Sequence, residues 1–138
     1  MLLDTHVWLW ITVGDVNRLG PKTRRAIIRV ASRGELAISV VSLFEIAGLS
    51  VIGRIAVRHP VERWLRDAIG LTGVRVVDVS PTVAIDAGSV PASTLGDPMD
   101  RLLAATAGHL DLPLVTRDAS ILAYARRSGR LRAIDAAE

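Results

Sequence analysis

The sequence predicts an α/β protein, a three-layer α/β/α sandwich around a central, mainly parallel sheet of four to five strands. Short apolar runs alternate along the chain with segments of helical periodicity, which is typical of a parallel sheet covered by helices on both faces. Half of the 138 residues are hydrophobic, enough to form a buried core. No linker, internal repeat or low-complexity tract divides the chain, so we expect a single domain over residues 1–138.

Strands are predicted where short apolar runs end at a turn residue or a polar residue. In chain order they are MLLDT (residues 1–5), ELAISVV (35–41), VRVVDVS (74–80), LPLVT (112–116) and, at an edge of the sheet, LRAIDA (131–136).

Helices are predicted between these strands, several with Pro in the first turn and Gly at the end. In chain order they are HVWLWI (6–11), PKTRRAIIRVASRG (21–34), SLFEIAGLSVIG (42–53), PVERWLRDAIG (60–70), PTVAIDAGSV (81–90), PMDRLLAATAGHL (98–110) and DASILAYARRSG (118–129).

The composition excludes several classes of protein. The chain has no cysteine, so disulfides, thiolate metal sites and cysteine nucleophiles are ruled out. No apolar run approaches the roughly 20 residues of a membrane span. The apolar N-terminus carries Asp4 and lacks the basic region and cleavage site of a signal peptide, so we expect a cytoplasmic protein without membrane contact. Aromatic residues make up only 4% of the chain, which argues against a base-stacking platform.

The charge balance favours a polyanionic partner. The net charge is +3, and every basic residue except Lys22 is arginine, whose planar donor fork suits phosphate. An arginine-rich chain also arises from the codon bias of a GC-rich genome, and the sequence leaves both explanations open.

Acidic side chains follow the predicted strands or open a helix beside them. Asp4 ends the first strand, Glu45 follows the second and Asp118 follows the fourth, while Asp97 and Asp100 open the helix before the fourth strand. The carboxyl ends of parallel strands share one edge of the sheet, so we expect these acids to converge there. Crowded carboxylates are relieved by a hard divalent cation, and Mg²⁺ and Mn²⁺ prefer oxygen ligands. Such a site activates water and stabilises charge on a phosphodiester.

Each of these acids except Asp4 also has an ordinary structural explanation. Glu45 stands three residues after Ser42, as in a capping box. Asp97 precedes a proline and is a good N-cap, which is the role we favour for it. Asp100 then lies in the first turn, where an acid suits the helix dipole. Asp118 is placed to cap the helix that follows it.

Basic side chains near the predicted site offer contacts for phosphate groups. Arg101 and Arg117 adjoin site acids and are candidate phosphate contacts, with local charge balance as the alternative. His6, His59 and His109 show no metal-ligand spacing, and a packing role is favoured for His6.

The blocks LLDTHVWLW, SLFEIA, GDPMDRLLAATA and LPLVTRD, in this order, resemble the PIN-domain family and, within it, the VapC-type toxins of bacterial toxin–antitoxin pairs. The resemblance implies a PIN-like α/β/α fold and a Mg²⁺- or Mn²⁺-dependent endoribonuclease. It also implies cleavage of transfer or ribosomal RNA that inhibits translation, control by a cognate antitoxin protein, and a homodimer.

The resemblance assigns roles residue by residue. The four acids of the family, which are catalytic and hold the metal, match Asp4, Glu45, Asp100 and Asp118. Asp97 matches an additional acid that supports either the metal or the helix, and Thr116 matches a hydroxyl residue that orders the acids. All the expected acids are present, so the chain is predicted to be an active enzyme.

Other functions fit the sequence less well. Aspartyl-phosphate phosphatases of the haloacid dehalogenase type need a second Asp two residues after the first, where this chain has His6. Response-regulator receivers need a late lysine, and neither a phosphate-binding P-loop nor a G-x-S-x-G elbow is present. The remaining alternatives are a non-catalytic PIN-like module that binds RNA or protein, which lacks metal-dependent turnover, and a nuclease that acts on DNA.

Overall fold

The computed structural model describes residues 1–56 and 60–138, so His59 lies outside the described part of the chain. Its five strands are β1 (Leu2–Leu3), β2 (Ala37–Ser39), β3 (Arg75–Val77), β4 (Leu114–Thr116) and β5 (Ala133–Asp135). Its α-helices are α1 (Thr5–Thr12), α2 (Pro21–Ala31), α3 (Val40–Val51), α4 (Val61–Thr72), α5 (Pro81–Ser89), α6 (Pro98–His109) and α7 (Ala119–Ser128). None of the helices in these ranges is long and apolar enough to cross a membrane.

The five strands form one parallel sheet in the order β3-β2-β1-β4-β5. The chain builds the sheet outwards from β1 in one direction through β2 and β3, and then returns to the other side of β1 with β4 and β5. The strand order therefore reverses between β1 and β4, the place where parallel sheets bind ligands. The predicted parallel α/β architecture is confirmed, with β5 at an edge as expected.

Alternate residues of each strand supply the two faces of the sheet. Leu2 of β1 joins the apolar cluster on one face, together with Leu103, Leu114 and Ile121. The opposite face carries the other cluster, with members Leu3, Val7, Trp8, Ile38 and Val115. Because both faces are buried, the central strands are apolar throughout and polar residues collect at their ends.

Several boundaries differ from the predicted ones, and two of the differences have a clear local reason. The predicted second strand includes Val40 and Val41, but both lie in α3, because the Ser39 side chain caps this helix by accepting a hydrogen bond from the Val41 amide at 3.2 Å. Helix α4 continues past Gly70 to Thr72 and stops at Gly73, whose φ of 63° is the left-handed conformation that glycine adopts readily. The earlier start of α3 brings Glu45 closer to the middle of the helix.

Candidate active site

Asp4 and Thr116 meet at the point where the strand order reverses. The register pairs Leu3 of β1 with Val115 of β4, so the next residues on the two strands, Asp4 and Thr116, are neighbours. The Thr116 hydroxyl donates a hydrogen bond to Asp4 Oδ2, and the Asp4 amide donates to the Val115 carbonyl at 3.0 Å. Both side chains are buried. The hydroxyl predicted to order the acids thus contacts one of them directly.

Glu45 reaches the same place from α3. A hydroxyl of the fully buried Thr5 donates a hydrogen bond to Glu45 Oε2, and the Thr5 and Ser42 hydroxyl oxygens are 2.9 Å apart. The capping-box explanation of Glu45 is wrong, because Ser39 is the N-cap of α3 and Ser42 lies inside the helix. The Glu45 carboxylate is therefore held by another element of the fold, the first residue of α1.

Asp97 and Asp118 are exposed and cap helices. Asp97 Oδ1 accepts a hydrogen bond from the Met99 amide at 2.7 Å, which confirms its predicted capping role in α6. Asp118 Oδ1 accepts from the amides of Ser120 and Ile121 at 2.7 and 3.0 Å and caps α7. The capping bonds of each aspartate use Oδ1, and within residues 1–56 and 60–138 no hydrogen bond or ion pair occupies Oδ2, which leaves it available for a second role.

Asp100 lies in the first turn of α6 and is half-buried. Its pKa is raised from 3.8 to about 7, and burial is the largest cause. The further causes are the negative charges of four other acids, in decreasing order Asp118, Asp97, Asp4 and Glu45. The charged groups that raise this pKa are thus the other four predicted site acids, which places each of them within electrostatic reach of Asp100.

Asp4 and Glu45 are subject to the same repulsion. Burial is the largest cause and raises the pKa of both carboxyls. The negative charge of Asp118 raises the pKa of Asp4 further, and the negative charge of Asp4 raises that of Glu45. The hydroxyls of Thr116 and Thr5 act in the opposite direction, because hydrogen bonds to a carboxylate favour its charged form. The structure therefore combines an electrostatic cost with donors that partly offset it.

The packing role predicted for His6 is wrong. His6 is exposed, and its charge lowers the pKa of both Asp4 and Glu45. It is the one histidine among the described residues that affects the site acids in this way. His109 instead contacts Asp86, with 2.5 Å between Nε2 and Oδ2.

The donor set fits a hard divalent cation. All five acids offer oxygen, and carboxyls with raised pKa values gain most from a nearby positive charge. Within residues 1–56 and 60–138, no three acidic or histidine side chains are close enough to form a ready-made direct coordination shell. Mg²⁺ commonly uses one or two carboxylates and several waters, so direct coordination by three side chains is not required.

The two candidate arginines have different environments. Arg117 is exposed between Thr116 and Asp118. Arg101 is partly buried, and its Nη1 donates a hydrogen bond to the Val90 carbonyl at 3.1 Å. Its Nε atom is buried and has no hydrogen-bond partner among the residues that the structure describes. Arg101 therefore ties the end of α5 to the start of α6, a role that the sequence did not indicate.

Comparison with known proteins identifies the family. A model of the PIN domain matches residues 1–127 of the chain. The chain belongs to the PIN-domain family. This PIN domain is also similar to Ribonuclease VapC22 of Mycobacterium tuberculosis (strain ATCC 25618 / H37Rv), with 39% identity over 118 residues that cover 86% of each chain. The predicted family resemblance is confirmed.

Solved structures share the same fold at low sequence identity. VapBC2 from Rickettsia felis, bound to a DNA fragment from its promoter, superposes with a TM-score of 0.66 at 18% identity, covering 96% of each chain. FitAB bound to an IR36 DNA fragment gives a TM-score of 0.63 at 19% identity, covering 99% of this chain and 95% of the other. A toxin–antitoxin complex from Klebsiella pneumoniae gives 0.55 at 17% identity, covering 85% of each chain. These matches confirm the predicted PIN-like fold.

Sequence reasoning missed the contact of Thr5 with Glu45 and the position of His6. Thr5 and Glu45 are 40 positions apart, and no local pattern links a residue at the start of α1 with the middle of α3. The available signal was the adjacency of Thr5 and His6 to Asp4, the acid that had no capping explanation.

Proposed function

We propose that this PIN domain is a Mg²⁺- or Mn²⁺-dependent endoribonuclease that acts as the toxin of a toxin–antitoxin pair. The observation that carries the proposal is the convergence of Asp4, Glu45, Asp100 and Asp118 at the reversal of strand order, with three of these carboxyls at raised pKa. Acids held together despite burial and mutual repulsion are typical of functional sites rather than of stabilising ion pairs. The 39% identical relative, named as a ribonuclease, supports the same reaction.

The acids that would hold the metal are Asp4, Glu45, Asp100 and Asp118, with Asp97 at the exposed side. A divalent cation supplies charge stabilisation on a phosphodiester and lowers the pKa of water. The chain itself fixes the carboxylates, because the Thr116 hydroxyl holds Asp4 and backbone amides of α7 hold Asp118. Asp118 and Glu45 are the candidates to orient the attacking water.

We further propose that the substrate is transfer or ribosomal RNA in the cytoplasm and that cleavage inhibits translation. Exposed arginine pairs on α2 (Arg24 and Arg25) and α7 (Arg126 and Arg127) add to the positive charge that attracts a polyanion. Exposed Arg117 lies beside the site acids and is the candidate phosphate contact. Arg101 is a weaker candidate because its guanidinium is committed to Val90.

The proposed partners are a cognate antitoxin and a second copy of the chain. Phe44, next to Glu45, is 70% exposed, and Val51 and Ile52 at the end of α3 are 85% and 64% exposed. Phe44 and Val51 are seven positions apart and so share one face of α3, and an exposed apolar helix face favours cover by another protein. The solved structures with this fold include a toxin–antitoxin complex, which is consistent with such a partner. Size measurement in solution, with and without a co-expressed antitoxin, tests both partners.

A cleavage assay tests the reaction. Purified protein, freed of co-purified antitoxin, is incubated with transfer and ribosomal RNA in Mg²⁺, in Mn²⁺ and in EDTA, with Asp100→Asn as the control for contaminating ribonuclease. We expect discrete fragments that need a divalent metal and that disappear with the variant.

Binding of RNA without any metal-dependent fragment would favour the non-catalytic module instead. Metal-dependent cleavage of DNA but not of RNA would support the DNA-directed nuclease. Fragments that persist with Asp100→Asn would come from a contaminant and would remove the support for this site.

A further inference from the structure

Thr5 connects two of the site acids. Its amide lowers the pKa of Asp4, the residue before it, and its hydroxyl donates to Glu45 Oε2 on α3. The side chain is 1% exposed, so water does not compete for this hydroxyl. A single buried residue thus follows one site acid directly in the chain and holds another through its side chain.

The direction of the hydrogen bonds around Thr5 follows from proton counting. A threonine hydroxyl has one proton, and an ionised carboxylate only accepts. Thr5 therefore donates to Glu45, and the Ser42 hydroxyl, 2.9 Å from Thr5 Oγ1, donates to Thr5. Ser42 is also fully buried. The hydrogen bond from Ser42 to Thr5 therefore keeps the Thr5 hydroxyl proton pointed at the Glu45 carboxylate and opposes rotation of that hydroxyl away from it.

This arrangement repeats the contact at the neighbouring acid. The buried Thr116 hydroxyl donates to Asp4, as the Thr5 hydroxyl donates to Glu45. Each hydroxyl also accepts one hydrogen bond. The Asp118 amide donates to Thr116, and the Ser42 hydroxyl donates to Thr5. Groups that orient metal ligands in this way commonly change metal affinity by about 10–100-fold when removed.

We infer that Thr5 is a positioning residue of the metal site, which fixes the Glu45 carboxylate in its ligating orientation through the hydrogen bond that Ser42 supports. The inference rests on the proposed metal-dependent function. It assigns to Thr5 and Ser42 an effect on metal affinity exerted through Glu45, and no contact with RNA.

The test measures the dissociation constant of Mn²⁺ by calorimetry on antitoxin-free protein. Thr5→Val keeps the shape of the side chain and removes the donor, whereas Thr5→Ser keeps the donor. Thr106→Val is the matched control, because Thr106 is also 1% exposed and helical but donates to the Leu102 carbonyl at 2.7 Å. We expect Thr5→Val to weaken Mn²⁺ binding about tenfold or more. Thr5→Ser and Thr106→Val should bind nearly as the wild type does.

A double-variant cycle shows whether Thr5 acts through Glu45. If it does, adding Thr5→Val to Glu45→Gln causes little further loss of Mn²⁺ affinity. An undiminished further loss would overturn the inference, as would wild-type affinity in Thr5→Val or equal losses in Thr5→Val and Thr5→Ser. If Thr5→Val does not fold, Ser42→Ala decides: a several-fold weaker affinity supports the inference, and an unchanged one overturns it.

The same measurements distinguish failure of the proposed metal-dependent function from failure of the role assigned to Thr5. If the wild-type protein binds no Mn²⁺, the metal-dependent function falls and the role of Thr5 falls with it. If the wild type binds Mn²⁺ and Thr5→Val binds it equally well, only the role of Thr5 is lost.

Discussion

The inner and outer acids of the site are held in different ways. The inner acids, Asp4, Glu45 and Asp100, are buried or half-buried and have raised pKa values. The outer acids, Asp97 and Asp118, are exposed and bound by the amides at the starts of α6 and α7. Side-chain caps stabilise a helix start, so the outer acids contribute to folding as well as to the charge of the site.

Because of this difference, substitutions at the outer and inner acids should affect the stability of the protein and its activity differently. An outer acid can lose its carboxylate and still cap its helix if a serine replaces it, because Ser and Asp are similar N-caps. An inner acid has no capping role, and its ionisation opposes folding when no cation is bound. Substitutions at the two sets should therefore move activity and stability in different combinations.

The largest effect is expected from the inner acids. Asp100→Asn and Asp4→Asn should each lower RNA cleavage by more than about 100-fold, since removal of a ligand should exceed the loss from a group that orients one. Asp100→Asn should also stabilise the metal-free protein at neutral pH, because it removes a charge that burial, and then repulsion by four other carboxylates, make unfavourable. Initial cleavage rates and urea unfolding in EDTA measure the two effects. Cleavage at the wild-type rate would show that the variant residue is not part of the site.

A smaller effect is expected from the outer acids, and it should differ between them. Asp118→Ser and Asp97→Ser should each change the free energy of unfolding by less than about 0.5 kcal/mol, since the cap is kept. Asp118→Ser should nevertheless reduce cleavage about 10–100-fold, because Asp118 is the acid that raises the pKa of Asp100 most. Asp97→Ser should change cleavage only slightly.

Cleavage rates and unfolding curves of Asp97→Ser and Asp118→Ser, measured in parallel, show whether the two outer acids differ in their contribution to activity. A loss of activity in Asp97→Ser as large as in Asp118→Ser would make Asp97 a full member of the metal site. Alanine at each position is the control, and it should destabilise the protein by about 1 kcal/mol through loss of the cap.

The inner and outer acids also differ in how far the sequence predicts them. All five follow or open predicted elements, and the parallel strand order brings strand ends together without further information. Capping by Asp97 is a local property and was predicted from the adjacent proline. The hydrogen bond that orients Glu45 comes from Thr5, 40 positions away, and requires a helix that begins at Val40 rather than at Ser42. Such contacts arise from packing between elements, which local periodicity does not encode.

The raised pKa of Asp100 predicts a pH dependence of stability. The pKa is 3.8 before folding and about 7 in the folded, metal-free protein, so the folded state binds more protons between these values. The contribution of Asp100 is therefore full below about pH 4 and is lost as the pH rises through about 7. Solvent screening at this half-exposed group limits the loss to on the order of 1–2 kcal/mol.

Urea unfolding in EDTA from about pH 5 to about pH 8 measures this loss. The free energy of unfolding of the wild type should fall relative to that of Asp100→Asn over this range, because the variant lacks the titrating group. Added Mn²⁺ should restore stability more at high pH than at low pH, since ligands bind the metal in their deprotonated form. Parallel curves for the two proteins in EDTA would contradict a raised pKa at Asp100.

The smallest effect is expected from the arginines beside the acids, and it distinguishes a contact with RNA from a contact within the protein. Exposed Arg117 should hold a phosphate, so Arg117→Gln should reduce cleavage several-fold at low salt and lower the salt dependence by about one phosphate contact. Arg101→Met removes the bond to Val90 and should cost about 1 kcal/mol of stability, with little change in salt dependence. Cleavage rates over a salt series, with unfolding curves for both variants, separate these effects. The reverse result, a changed salt dependence in Arg101→Met alone, would mean that α6 rather than the turn after β4 carries the phosphate contact.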